Sequence, residues 1–203
     1  MENIVSAIQK IEALSEAQGG VFLLSDMKNI FGVISKDKLF RYLAILEKKN
    51  ILIRFIRGFY IYKNFNPYIL SQSISSDSYI SCESILAKEK IINTVPQKMV
   101  TAVKSGPGRV YKHDIITIKH ASITSELYFG FNNEAGINIA TKEKAFLDAL
   151  YYYKKGMKLF FDIYSDIDYS RLDKEIIFDY LSKYNDKKFA SFIRNLFYDN
   201  IQE

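Results

Sequence analysis

Residues 35–63, SKDKLFRYLAILEKKNILIRFIRGFYIYK, read as one helix followed by a tight two-stranded hairpin, and they carry eight Lys or Arg against only Asp37 and Glu47. At 100° per residue, Tyr42, Leu43 and Leu46 fall within about 60° of Leu39, the apolar stripe of a helix resting on a core. Arg41 falls roughly 200° and Lys48 roughly 180° round from Leu39, so both point away from that stripe. Ser35 suits the N-cap, which places Lys36 and Lys38 in the first turn. After Asn50 the period changes to two. Ile51, Ile53 and Phe55 alternate with Leu52 and Arg54; Arg57-Gly58 makes the turn, Gly58 being free to take a positive φ; and Phe59, Ile61 and Lys63 continue beyond it.

Upstream, Ile4, Ile8 and Ile11 carry helical spacing that runs to Leu14 and stops at Gly19-Gly20. Val21 to Leu24 reads as a short strand, Ser25 as the cap of a brief helix through Phe31, and Gly32 with Val33 and Ile34 as the turn into the basic helix. Helix, strand, helix, turn, helix, hairpin is the order of a winged helix-turn-helix, in which a basic helix enters the major groove and a basic loop touches neighbouring phosphates. A charged helix is ordinarily only a solvated face. Here the basic excess continues into the hairpin, whose tip is Arg-Gly. The expected partner is double-stranded DNA, with Lys36, Lys38 and Arg41 reaching bases or phosphates from the helix and Lys48, Arg54 and Arg57, beside Gly58, holding the backbone.

The charge distribution agrees. The net charge is +5 and the pI about 9.0, but residues 1–67 hold 10 basic and 6 acidic side chains while 68–203 hold 18 and 17. The bias sits in the first part, which suits a polyanion. At 203 residues, 48% hydrophobic and 25% charged, the chain is expected to form two modest globular domains. Cys82 is the only cysteine, so neither an intrachain disulfide nor a C-x-x-C zinc site is available. MENIVSAIQK lacks the apolar core of a signal peptide, and no apolar run approaches the ~20 residues that span a bilayer. The cytoplasm is the expected compartment, with no membrane partner.

A winged helix-turn-helix is expected over residues 1–67 and a second domain over 79–203, joined by a linker at about 68–78, where Pro67 breaks any strand and serine accumulates. The second domain opens at Tyr79-Ile80, with Ser81 capping a helix through about Ile92 and Pro96 closing the connection. Strand-like runs follow at Met99–Val103, Val110–Tyr111, Ile115–Lys119, Leu127–Phe131 and Ile137–Ala140, and Gly106-Pro107-Gly108 turns between the first two. Thr141 caps a strong helix, KEKAFLDALYYY, in which Ala145, Phe146, Ala149 and Tyr153 share a face and which Lys155-Gly156 ends. Further helices are expected at Asp173–Tyr184 and Asp186–Tyr198. The class is α+β, with helices packed on a small sheet.

Within this domain YISCESILAKEKII, the turn GPGRV and INIATKEKAFLDALYYY resemble the AbiEi family, the antitoxins of abortive-infection type IV toxin–antitoxin systems. The resemblance rests on Tyr79, Ile80, Ser81, Glu83 and Ser84, then on Ala140, Thr141, Glu143, Lys144, Ala145, Leu147, Asp148 and Leu150. Lys142 stands where the family has proline, Cys82 where it has an apolar residue, and Ala87-Lys88 where an aromatic or His often occurs. The resemblance implies a transcriptional autorepressor that binds repeats in its own promoter and counteracts a neighbouring nucleotidyltransferase toxin without needing a stable complex with it.

Catalysis finds little footing in the residues. A metal nuclease needs clustered carboxylates with a positioning lysine; Glu47-Lys48-Lys49 and Asp186-Lys187-Lys188 match only a loose pattern at helix ends. His113 and His120 have no legible triad partner, and Gly106-Pro107-Gly108 lacks the Lys-Ser/Thr and helix of a phosphate loop. No enzyme activity, catalytic residue, cofactor or metal is expected. The alternatives are a protein-interaction module or a DNA-cleaving enzyme built on the winged helix. Tyr151, Tyr152 and Tyr153 read as core. Asp148, inside an apolar stretch, requires a hydrogen-bonding or cationic partner. Lys98, Lys104, Arg109, Gly136 and the loop Asn132 to Glu134 read as ordinary surface.

Overall fold

A computed structural model describes residues 2–32 and 35–200. The chain is α+β and divides into two compact units, residues 1–74 and 75–203.

In the first unit, α1 (Glu2–Ser15), β1 (Val21–Leu23), α2 (Leu24–Phe31), α3 (Lys36–Lys48), the hairpin β2 (Ile53–Ile56) and β3 (Phe59–Ile61), and α4 (Pro67–Ile74) follow in order. The strands form an antiparallel sheet in the order β1-β3-β2. The core joins Ile11 of α1, Met27 and Phe31 of α2, Leu39, Leu43 and Leu46 of α3, and Phe22 and Tyr60 of the sheet. The expected apolar stripe of α3 is therefore the buried one. Ser35 holds the N-cap position of α3, but its side chain makes no capping hydrogen bond. The helix α2 starts two residues earlier than expected, with Leu23 at the N-cap: Asp26, and not Ser25, secures it by accepting from the Leu23 N–H at 2.7 Å. The turn expected at Gly32-Val33-Ile34 keeps its left-handed Gly32, at φ 58°; Val33 and Ile34 lie outside the described residues.

The expected linker is corrected. Asn66 accepts from the N–H groups of Tyr68 and Ile69, and Pro67 takes the first helical position. At that position proline's missing N–H costs nothing and its fixed φ suits a helix. Leu70 and Ser71 of α4 are buried, so the segment belongs to the packed first unit.

The second unit is built on a six-stranded mixed sheet in the order β6-β7-β5-β4-β9-β8, comprising β4 (Ser78–Ile80), β5 (Met99–Ser105), β6 (Arg109–Lys112), β7 (Thr117–Ile123), β8 (Phe131–Glu134) and β9 (Ile137–Ala140). Central β4 pairs antiparallel with β5 and parallel with β9, and all three of its residues are buried. The helices are α5 (Glu83–Lys88), α6 (Lys142–Lys154), α7 (Lys174–Leu181) and α8 (Lys187–Asn200). Thr141 caps α6 as expected, accepting from the Lys144 N–H at 3.2 Å. Asp173 and Asp186 cap α7 and α8 in the same way.

Four expectations fail here. Residues 125–127 form a 3₁₀ turn, and the strand begins only at Phe131, taking in Asn132 to Glu134 through pairing with β9. The strand β7 runs Thr117–Ile123, in register with β5. Cys82, and not Ser81, stands at the cap of α5 with φ 52° and no side-chain cap bond. On α6, Tyr152 is buried while Tyr153 is 40% exposed, because one residue moves a side chain 100° round a helix.

Candidate functional site

All six cations of the expected DNA surface are exposed, and Gly58 is half-buried at the hairpin tip. From the burial of Leu39, Leu43 and Leu46, the opposite side of α3 carries Lys38, Arg41, Ile45 and Lys48, spread over about 80°. Among the described residues none of Lys36, Lys38, Arg41, Lys48, Arg54 and Arg57 is ion-paired. Arg54 stands opposite Tyr60 across the hairpin; burial pushes the Tyr60 hydroxyl pKa up, and the Arg54 charge opposes it. The hairpin closes through Ile56 and Phe59, with Gly58 at φ 90°, and the Gly58 carbonyl accepts from the Leu24 N–H at 2.9 Å. That bond anchors the Arg57-Gly58 tip to the start of α2. Ile45 at 37% and Phe40 at 42% exposure leave apolar groups on the surface of α3.

The second unit contains a buried polar cluster. Lys144 and Asp148, one turn apart on α6, form an ion pair with both side chains fully buried. The other Asp148 oxygen accepts from the Tyr79 hydroxyl at 3.0 Å and the Ser81 hydroxyl at 2.7 Å. The Lys144 ammonium also donates to the Tyr184 hydroxyl at 3.2 Å and lies 4.9 Å from the Phe129 ring centroid. Its stem runs against Gly130, where a Cβ would come within 3.0 Å of it. Asp148 thus meets the cationic partner that an acid in an apolar helix requires. Burial, reinforced by the Asp148 charge, drives the Tyr79 and Tyr184 hydroxyl pKa values far upward.

Glu143 accepts from the Asp173 N–H at 3.2 Å, and the Ser84 hydroxyl accepts from the Thr101 N–H at 2.9 Å. Residues from both stretches that carry the AbiEi resemblance therefore converge on one network that ties α6 to β4 and to the start of α7. Ser81 serves Asp148 instead of capping α5. That sequence distance of 67 residues leaves no local signal.

Cys82 is fully buried beside this network. Burial first, then the nearby Glu83 carboxylate, pushes its thiol pKa well up, which depletes the reactive thiolate. The native protein is expected to resist Ellman's reagent at neutral pH and to titrate one thiol once unfolded in urea. Rapid labelling of the folded chain would contradict this burial.

Of the residues read as ordinary surface, Lys104 is committed to Asp77 at 3.2 Å and Arg109 lies over Tyr111. His120 is buried edge-on to Tyr111, and His113 accepts from the Ile115 N–H at 3.2 Å. Among the described residues no three His, Cys, Asp or Glu side chains gather to hold a metal, and no helix is long and apolar enough to cross a membrane.

The fold and these two sites define a two-unit α+β protein with an exposed cationic surface on one unit and a buried ion pair in the other. The chain is similar to the RV2827C protein from Mycobacterium tuberculosis, known from a crystal structure: the TM-score is 0.61 at 10% identity, over 92% of this chain and 73% of that one. At that identity the likeness is one of fold. Neither a protein-family model nor a curated protein sequence matches the chain.

Proposed function

We propose that the first unit is a winged helix-turn-helix and that the protein is a DNA-binding autorepressor and antitoxin opposing a nucleotidyltransferase toxin. One observation carries the DNA-binding part: the first turn and outward side of α3, with the adjoining hairpin, present six exposed cations with no carboxylate partner among the described residues. A surface cation gains little from an ion pair, so what supports the reading is that these six gather on one helix and its adjoining hairpin, the kind of set that phosphate oxygens engage. In this reading α3 enters the major groove, with Lys38 and Arg41 near base edges and Ile45 against a thymine methyl. Arg54 and Arg57 grip phosphates. The antitoxin part rests on the resemblance carried by Tyr79, Ser81, Glu143, Lys144 and Asp148, whose buried network makes them the frame of the second unit and leaves toxin-opposing contacts to its surface.

A mobility-shift titration with DNA from upstream of the gene, at several salt concentrations, tests the DNA-binding part. Affinity is expected to fall steeply with salt, and Arg57→Ala is expected to flatten the slope of log K against log salt by roughly 0.9, one phosphate contact. Absent or salt-independent binding refutes it. For the antitoxin part, co-expression with the product of an adjacent nucleotidyltransferase gene is expected to restore growth; continued arrest refutes it.

A further inference from the structure

Two adjoining concavities in the second unit share Tyr184 and Asn185 as a common wall. The larger, of about 530 Å³, lies between the end of α7 and one face of α8. Its α8 wall is Lys187, Ala190, Ser191 and Arg194, the i, i+3, i+4 and i+7 positions of a single helical face. Ala190 keeps that face low, and Ser182 and Asn185 stand across from it. Among the described residues no carboxylate lines this groove, and neither Lys187 nor Arg194 has an ionic partner.

The smaller concavity carries two cations and two acids. Lys155 and Lys183 line it, held over the rings of Tyr151 and Phe129 at 4.1 and 4.2 Å and not by acids. Of its two carboxylates, Glu126 and Asp186, Asp186 is engaged in capping α8. Four cations and two acids thus line the two adjoining concavities.

Seven residues of helix place Lys187 and Arg194 about 10 Å apart, farther than one phosphate spans but suited to a chain of phosphates. The volume falls in the range of ligand clefts, about 300–1,000 Å³. A cleft of that volume takes in a short stretch of one extended strand. Hydroxyl and amide groups complete the set that binds phosphate and sugar oxygens without reading sequence.

We propose that this groove binds a single strand of nucleic acid through its sugar–phosphate backbone, with Lys187 and Arg194 on separate phosphates. The site is distinct from the cationic surface of the first unit and does not depend on the duplex-binding reading.

Fluorescence anisotropy of the full chain with oligo-rU and oligo-dT of about twelve nucleotides, within the usual site sizes, tests the proposal. The double variant Lys187→Glu/Arg194→Glu is expected to weaken strand binding at least about tenfold, and the neutral pair Lys187→Gln/Arg194→Gln to lower the salt slope by about 1.4. Lys38→Ala/Arg41→Ala/Arg57→Ala is expected to leave strand binding in place. Thermal melts matching the parent establish that the groove variants are folded, and the neutral pair decides should the charge-reversed one not fold. Binding of either sugar sustains the proposal. Absence of strand binding, binding unchanged in both groove variants, or full displacement by inorganic phosphate at equal phosphate concentration overturns it.

Discussion

Asp148→Ala is expected to destabilise the second unit by about 3–5 kcal/mol, the usual cost of breaking a buried ion pair by removing one partner. The reason lies in what remains. The Lys144 ammonium, fully buried, keeps only the Tyr184 hydroxyl and the surrounding rings, and the Tyr79 and Ser81 hydroxyls lose their shared acceptor. An uncompensated buried charge costs several kcal/mol, and each orphaned hydroxyl adds roughly 1–3 kcal/mol. Equilibrium urea unfolding followed by far-ultraviolet circular dichroism measures the loss. The double replacement Lys144→Met/Asp148→Leu removes both charges together and is expected to be less destabilised than the single variant, since an apolar pair of similar volume incurs no ionic desolvation. If Asp148→Ala instead unfolds within about 0.5 kcal/mol of the parent, the range of an ordinary surface substitution, the cluster has no structural role of the kind described.

If the first unit binds DNA as proposed, the triple variant Lys38→Ala/Arg41→Ala/Arg57→Ala is expected to weaken promoter binding about 100-fold or more, through loss of two base-edge contacts at about 1–3 kcal/mol each. It is also expected to flatten the salt slope by about one phosphate contact, that of Arg57. All three side chains are exposed and none joins an ion pair among the described residues, so thermal stability is expected to stay close to that of the parent. Lys63→Ala, which removes a cation already paired with Glu12 at 3.5 Å, is the matched control and is expected to change promoter affinity little. Equal losses in the control and the triple variant would reduce the effect to net charge and remove the assignment of α3 as the reading helix.

Where the decisive signal is local, expectation and structure agree. Leu39, Leu43 and Leu46 mark the buried side of α3, Thr141 starts α6, and Gly58 closes the hairpin, each within a few residues of the feature it explains. The readings fail where a residue has two uses. Pro67 was expected to end structure and instead begins α4, because Asn66 beside it supplies a cap. Ser81 was expected to cap a helix and instead serves Asp148. Leu127–Phe131 looked like a strand by composition, yet strand pairing begins at Phe131, where β9 supplies a partner.

The buried stripe of α3, the Thr141 cap of α6 and the uneven charge between the two parts of the chain were settled by the amino-acid order alone, since each depends on neighbours a turn or a strand apart. The sheet order, the meeting of Tyr79 and Ser81 with Asp148, and the groove beside α8 were decided only in three dimensions. Each brings together groups from separate elements, and long-range packing, which no local pattern encodes, selects which of many compatible partners a buried charge or an open strand edge finds.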